Sequence, residues 1–306
     1  MKRSIWQTLL LWSLPLAFLL VFFYQPLVAI FRLVFSTQFS QGWKLFRWSQ
    51  ITKPLGFTLY QATLSTILTL ILGLPAAYLF ARFQFAGRKF LRVLITIPFI
   101  LPTVVVAAAF NTLLGPRGWL NLGLMSLFNL SSPPINMLNS LSAILLAHVF
   151  YNISIVIRMV GSSLSRLNQN LPLVAQNLGA SPWRAFKEVT LPLLMPSILS
   201  ATLMVFLFDF SSFGVVLMLG GPQFSTLEVE IYNQAMNRFN LPVAGLLSIV
   251  QLAFTLLVSV LINRSNQPRY GKAAMASESS GLRVAKGSWE KAFVIIMVTV
   301  LLLLMV

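Results

Sequence analysis

Cysteine is missing from this 306-residue chain, histidine occurs once, and the acids number six. Without cysteine there is no disulfide framework and no thiolate metal site. The lone histidine, His148, rules out a multi-histidine zinc centre, and no nucleophile or orienting acid is patterned around it as a catalytic triad requires. With so few acids, general acid–base and metal chemistry have almost no groups to use, so an enzyme is not expected and no cofactor is implied. A phosphate-cradling Gly-x-x-x-x-Gly-Lys-Ser/Thr run is also missing, which excludes nucleotide binding by that motif. Charged residues make up only 9% of the chain, against roughly 25% in a soluble domain. A soluble chain of this size could not cover its surface with so little charge, so lipid is the solvent for much of its length.

What is present is apolar. Hydrophobic residues reach 57%, and they cluster in runs long enough to cross a bilayer core as helices. Six runs qualify, near Leu9–Val34, Phe57–Ala81, Leu91–Leu114, Leu141–Val160, Leu193–Met218 and Val243–Ile262. The fold expected is therefore an all-α integral membrane protein with six spanning helices, and a seventh run starting at Ala292. The first run follows Lys2 and Arg3 but is too long for a signal-peptide core and lacks a small-residue cleavage site, so it reads as a retained helix.

The net charge of +16 does not point to nucleic acid, because the basic residues lie in short blocks between apolar runs. With the N-terminus placed in the cytoplasm, the inner segments hold more than twice as many Lys and Arg as the outer ones. That bias sets the expected orientation. Residues 1–265 then form the membrane domain. Residues 266–291, rich in Gly, Ser, Ala and charge, read as a cytoplasmic linker. Residues 292–306 read as the start of a further spanning helix. The stretch Gly287–Val306 loosely echoes the N-terminal run, which suggests a truncated second half beginning there. The outer loop Gly115–Asn139 is full of turn signals and holds a short interfacial helix around Leu120–Phe128.

The most informative stretch lies between the fourth and fifth apolar runs, residues 166–199. Leu173–Leu178 can form a short helix, and Gly179 suits the left-handed residue that follows a helix end. Ser181 is a good N-cap and Pro182 a good first residue for a second helix carrying Trp183, Phe186, Val189 and Leu193. Pro192 and Pro196 sit near its passage into the membrane. The element is a helical hairpin at the membrane surface with an apolar face. From the residues alone, two readings stay open: a docking element for a soluble partner, or an amphipathic loop on lipid headgroups.

The run Ala175-Gln-Asn-Leu-Gly-Ala-Ser-Pro-Trp-Arg-Ala-Phe, followed by Val189-Thr-Leu-Pro-Leu-Leu-Met-Pro-Ser-Ile, resembles the EAA loop of binding-protein-dependent ABC importer permeases. Thr58–Thr66 with Leu74-Pro-Ala-Ala-Tyr, and Ile97-Pro-Phe-Ile-Leu-Pro-Thr-Val-Val-Val, are similar to the first helices of the same permeases, so the likeness covers about residues 55–265. Ser212–Pro222 and Ser225–Tyr232 resemble the thiamine and ferric-iron permeases in particular, which often carry two fused halves. One departure is that Leu173-Val174-Ala175 stands where the family has Glu-Ala-Ala.

The resemblance implies the type I importer transmembrane fold, with a coupling helix that fits a cleft on a separate ATPase subunit. It implies an extracytoplasmic solute-binding protein and a second permease half or copy as further partners, and a location in the plasma or inner membrane. Ala175, Leu178, Gly179, Ala180, Ser181, Pro182, Trp183, Phe186, Leu191 and Pro192 are then the expected coupling residues. A secondary transporter driven by an ion gradient is the alternative, but it would need more intramembrane charge than this chain offers.

Among single residues, Asp209 is the one acid well inside a predicted span, near the outer end of its helix, at a depth similar to His148. Two readings apply: an interfacial acid reaching water, or a His148–Asp209 contact lining the path of a cationic substrate. Arg158 is expected to snorkel to headgroups and Asn152 to bond a neighbouring helix. Glu228 and Glu230 are expected in a solvated outer loop, where they could meet the binding protein. Pro75, Pro98 and Pro102 are expected to kink their helices.

Overall fold

The computed structural model describes residues 5–35, 47–168, 170–265 and 281–305. Lys2, Arg3, Lys44 and the part of the expected linker from 266 to 280 lie outside them. Nearly every described residue is helical. The helices long and apolar enough to span are Leu11–Val34, Ser49–Arg82, Leu141–Arg166, Pro182–Phe210, Leu241–Arg264 and Ser288–Met305, and the bent pair Arg88–Ile100 with Thr103–Phe128 makes a seventh if it counts as one span. The all-α membrane architecture expected from the apolar runs is the one observed.

In chain order the helices are α1 (Ile5–Leu19), α2 (Gln25–Val34), α3 (Ser49–Arg82), α4 (Arg88–Ile100), α5 (Thr103–Leu114), α6 (Trp119–Phe128), α7 (Leu141–Arg166), α8 (Asn170–Asn177), α9 (Pro182–Ala185), α10 (Leu191–Phe210), α11 (Phe213–Leu219), α12 (Leu227–Tyr232), α13 (Leu241–Ser265) and α14 (Ser288–Met305). Wide π turns link α1 to α2 at Leu20–Tyr24 and α9 to α10 at Phe186–Thr190. Each lies just ahead of a proline, Pro26 or Pro192, at the start of the next helix. Proline offers no N–H to the turn before it and its ring crowds the carbonyl there, and a widened turn makes room for both.

The chain divides into two units, Met1–Leu55 with Leu227–Phe254, and Gly56–Thr226 with Thr255–Val306. In the first, a Cβ on Gly245 would fall 2.8 Å from Val34 Cγ2, so α13 approaches α2 closely at that glycine. Here Glu228 and Glu230 depart from expectation. They lie on the helix α12, not in a solvated loop. Glu230 is buried and accepts from Gln234 Nε2 at 2.7 Å and Arg238 Nη1 at 3.0 Å. Gln251 Nε2 donates to Glu228 at 3.1 Å, and burial pushes the Glu228 carboxyl up to about 6.

The second unit holds the core. α3, α4, α7 and α14 contribute Ala76, Leu79, Phe80, Leu91, Ile95, Ile153, Ile157, Met297 and Leu301 to one buried cluster. A second joins Ala77 of α3, Val156 and Val160 of α7, and Ala201 and Val205 of α10. In lipid, burial of apolar surface between helices gains little, so close packing of small residues carries more of the association. A Cβ on Gly73 would sit 2.8 Å from Val156 Cβ, which shows how near α3 and α7 come.

Four expected segments change on folding. The run from Leu91 is not one straight helix: α4 ends at Ile100 and α5 starts at Thr103, with 110° between the two helical stretches. Leu101 precedes Pro102, and the residue before a proline avoids the helical region; its ψ is 142°. Pro75 and Pro98, by contrast, sit inside unbroken helices. The run from Leu193 breaks after Phe210, where Ser211 and Ser212 leave helical geometry before α11. α3 begins at Ser49, ahead of the expected Phe57, and takes Lys53 out of the loop. α7 runs on past Val160 to Arg166, which leaves Arg158 about two turns inside its end.

The far part of the expected linker is not free chain. Arg283 and Val284 pair in parallel with Phe83 and Gln84, the Arg283 guanidinium lies 4.9 Å over the Phe83 ring, and α14 already begins at Ser288. The short helix expected at Leu120–Phe128 is α6.

Candidate functional site

Two groups of residues at opposite ends of one long helix, Pro182–Phe210, carry the features that packing alone does not require. The first is the hairpin of α8 and α9. α8 closes with the Ala180 N–H donating to Ala175 O at 3.0 Å and the Gly179 N–H to Gln176 O at 2.9 Å. Those two bonds are the Schellman pattern, which needs a left-handed residue at the turn. Gly179 supplies it with φ +93°. Two residues later Ser181 caps the next helix, its Oγ accepting from the Arg184 N–H at 3.3 Å, and Pro182 follows at the first helical position. Arg184 Nε donates to Glu188 at 3.0 Å one turn on.

This turn chemistry fixes the hairpin's shape, and the shape presents apolar groups. Leu178 is 84% exposed and Trp183 70%, and Phe186 stacks on Trp183 with ring centroids 5.7 Å apart. Leu173 and Val174 are also exposed. Ala175, Ala180, Leu191 and Pro192 are half-buried and Ala185 is buried beneath. Of the expected coupling residues, the structure gathers Ala175, Leu178, Gly179, Ala180, Ser181, Pro182, Trp183 and Phe186 in the hairpin. Leu191 and Pro192 fall beyond the π turn, at the root of α10.

The second group is its inverse, a polar cluster sealed inside apolar helices. The structure brings His148 and Asp209 together, with Nδ1 to Oδ1 at 3.5 Å. Asp209 also accepts from Asn152 Nδ2 at 2.7 Å, while its backbone carbonyl accepts from Gln61 Nε2 at 2.8 Å. The imidazole spans two hydroxyls, with Ser65 Oγ 3.0 Å from Nδ1 and Ser212 Oγ 2.7 Å from Nε2. Thr66 Oγ1 lies 3.5 Å from Asp209 Oδ2.

The cluster thus ties α3, α7, α10 and the break before α11. Asp209 has no solvent exposure and His148 only 2%. The acid therefore does not reach solvent in this conformation, since Asn152, Thr66 and His148 surround its carboxyl oxygens. Nor do the two residues line an open path in this conformation. Asn152 bonds across to a neighbouring helix as expected. Gln61, Ser65 and Ser212 were not anticipated as partners. Their signal was present in α3, where Thr58, Gln61, Ser65 and Thr69 recur every three or four residues on an apolar helix and all four are buried.

The family of binding-protein-dependent transport system inner membrane components matches residues 69–271. The chain belongs to this family. It is 33% identical over 256 residues to the thiamine transport system permease protein ThiP of Haemophilus influenzae, covering 82% of this chain and 46% of ThiP. It is 28% identical over 255 residues to the putative 2-aminoethylphosphonate transport system permease protein PhnU of Salmonella typhimurium, covering 81% of this chain and 88% of that one. A probable sulfate transport system permease protein, cysT of Marchantia polymorpha, is 30% identical over 199 residues, 62% of this chain and 65% of that one. The chain thus spans about half the length of the thiamine permease. Among solved structures, a bacterial ABC transporter involved in the import of the acidic polysaccharide alginate superposes with a TM-score of 0.70 at 19% identity, over 88% of this chain and 98% of that one. That likeness is one of fold, and it matches the expected importer transmembrane architecture.

Proposed function

We propose that this chain is the permease subunit of an ATP-binding-cassette importer, working with a second permease half or copy to pass a small solute inward. A separate ATPase subunit burns the nucleotide, and an extracytoplasmic binding protein delivers the cargo. The observation that carries the reading is the exposed apolar hairpin at the root of a spanning helix, held rigid by Gly179 and Ser181. Exposed apolar surface of this kind marks a contact with another protein or with lipid, and family membership favours a protein.

In this reading Trp183, Leu178 and Phe186 enter a cleft on the ATPase, and closure of the nucleotide sites pushes the hairpin and tilts α10 as a rigid body. The hairpin, the N-terminus and the linker then face the cytoplasm, in keeping with the bias of Lys and Arg. His148 and Asp209 act as a joint between helices, and a role in passing a cation would require that joint to open.

The relatives' names span thiamine, sulfate and 2-aminoethylphosphonate. The likeness of Ser212–Pro222 and Ser225–Tyr232 to the thiamine and ferric-iron permeases favours thiamine among these, with ferric iron as a further candidate outside them. A carrier driven by an ion gradient would need a titratable group within reach of water inside the membrane, and the buried Asp209 offers none. The test is co-purification of the neighbouring ATPase with the chain and with a version lacking residues 173–186. Retention by the first and loss by the second is the expected result. Equal retention, or solute uptake by the shortened version, overturns the proposal.

A further inference from the structure

Two adjoining cavities in the second unit share Arg158 and Ser162. The first, about 470 Å³, is walled by Arg88, Arg92 and Arg158 with Phe80 and Ser165. The second, about 500 Å³, is walled by Phe99, Ile155, Met159 and Met204. Each lies within the roughly 300–1,000 Å³ usual for a ligand site.

Three guanidinium groups around one cavity repel one another, and no described carboxylate offsets them. Glu188 is taken by Arg184, Glu228 by Gln251, Glu230 by Arg238, Glu290 by Arg283 and Asp209 by Asn152. Arg88 spends Nη2 on Phe80 O at 2.8 Å, and its Nε is buried with no partner. Arg92 lies 5.8 Å over the Phe80 ring, so its guanidinium is positioned but not neutralised. A buried donor left unmade is destabilising, and a phosphate-bearing group offers acceptors for it while meeting the guanidinium forks in their preferred geometry. Ser162 and Ser165 already donate to Met159 O and Ser162 O, which leaves the arginines as the donors.

We propose that the paired cavities form a binding site for one anionic phospholipid, its phosphate among Arg88, Arg92 and Arg158 and an acyl chain along Phe99, Ile155, Met159 and Met204. A free oxyanion would use only the first cavity. The apolar second cavity continues from Arg158, and the exposed Phe90, Val93 and Ile97 of α4 add apolar surface beside the cleft. Basic pockets between membrane helices suit anionic headgroups, and the long arginine side chains reach toward headgroup level from within a span. The inference stands apart from the transport reading, since it needs neither ATPase nor cargo.

The experiment uses the purified full chain, stripped of lipid in a neutral detergent. Native mass spectrometry and thermal melting are followed as dioleoylphosphatidylglycerol, dioleoylphosphatidylcholine or inorganic phosphate is added. One phosphatidylglycerol is expected to bind per chain and raise Tm saturably, with phosphatidylcholine and inorganic phosphate far weaker. R158Q is expected to lower phosphatidylglycerol affinity about tenfold, as loss of a charge-assisted bond implies. M159W, which fills the second cavity and leaves every arginine in place, is expected to lower it too, and this variant decides the matter if R158Q fails to fold. Equal binding of phosphatidylcholine, or phosphatidylglycerol affinity unchanged in the variants, overturns the proposal. Protection by inorganic phosphate equal to that by the lipid also overturns it and reassigns the site to a soluble oxyanion.

Discussion

The hairpin at Leu173–Phe186 and the cluster around Asp209 sit on the same rod, and each breaks the rule of its surroundings in the opposite sense. At one end, Leu178 and Trp183 present exposed apolar surface. At the other, a carboxylate, an imidazole, two amides and three hydroxyls are shut away from solvent. The hairpin's form depends on backbone bonds that the chain makes locally, so its side chains are free to serve a partner. The cluster's form depends on side chains from distant parts of the chain, so they are spent on one another. Substitutions at the cluster should therefore cost stability, and substitutions on the hairpin face should cost function.

Asp209→Ala should show the largest effect, destabilising the purified protein by about 3 kcal/mol through loss of the groups that satisfy Asn152 and His148. Asp209→Asn should cost clearly less, because an amide keeps an oxygen for Asn152. Equal melting of the two variants would break the view that hydrogen bonding holds this end. Gly73→Val should follow at about 1–3 kcal/mol from overpacking against Val156, and Val156→Ala should recover part of it in the double variant. Simple additivity in thermal unfolding would deny the contact.

Gly179→Val comes next. A branched residue forced to φ +93° costs about 1–2 kcal/mol at the turn. It should lower Tm by a few degrees at most but uncouple ATP hydrolysis from uptake in proteoliposomes, and normal coupling would count against the hairpin as the docking element. Trp183→Ala should shift Tm least, within about 0.5 kcal/mol, since the ring is exposed. The same variant should lose the ATPase in a pull-down, and full retention would place the docking surface elsewhere.

The contrast also explains what could be read from the sequence. The hairpin was legible because its determinants are near neighbours: Gly179, Ser181 and Pro182 act through bonds spanning three to five residues. The helices were legible from their apolar runs. Breaks at Leu101-Pro102 and Ser211-Ser212 were less so, because Pro75 and Pro98 are tolerated within helices and only the local backbone shows which proline ends one. The cluster was half legible. An acid in an apolar run demands partners, and His148 was suspected, while Asn152 was expected only to bond some neighbouring helix. Gln61, Ser65 and Ser212 reach this site across 64 to 148 residues of chain, and only folding selects them from the many polar residues of similar depth.

The wide turn at Phe186–Thr190 has a mechanical meaning. The rod from Pro182 to Phe210 has 29 residues and is about 44 Å long, with one softened stretch close to the hairpin and a tightly bonded anchorage at the other tip. A body clamped at its distal tip and compliant near its loaded end bends first at the compliant place. If the hairpin docks on an ATPase as proposed, small sideways loads on the indole of Trp183 would be taken up first at this wrist, and only a larger push would swing the shaft about Asp209.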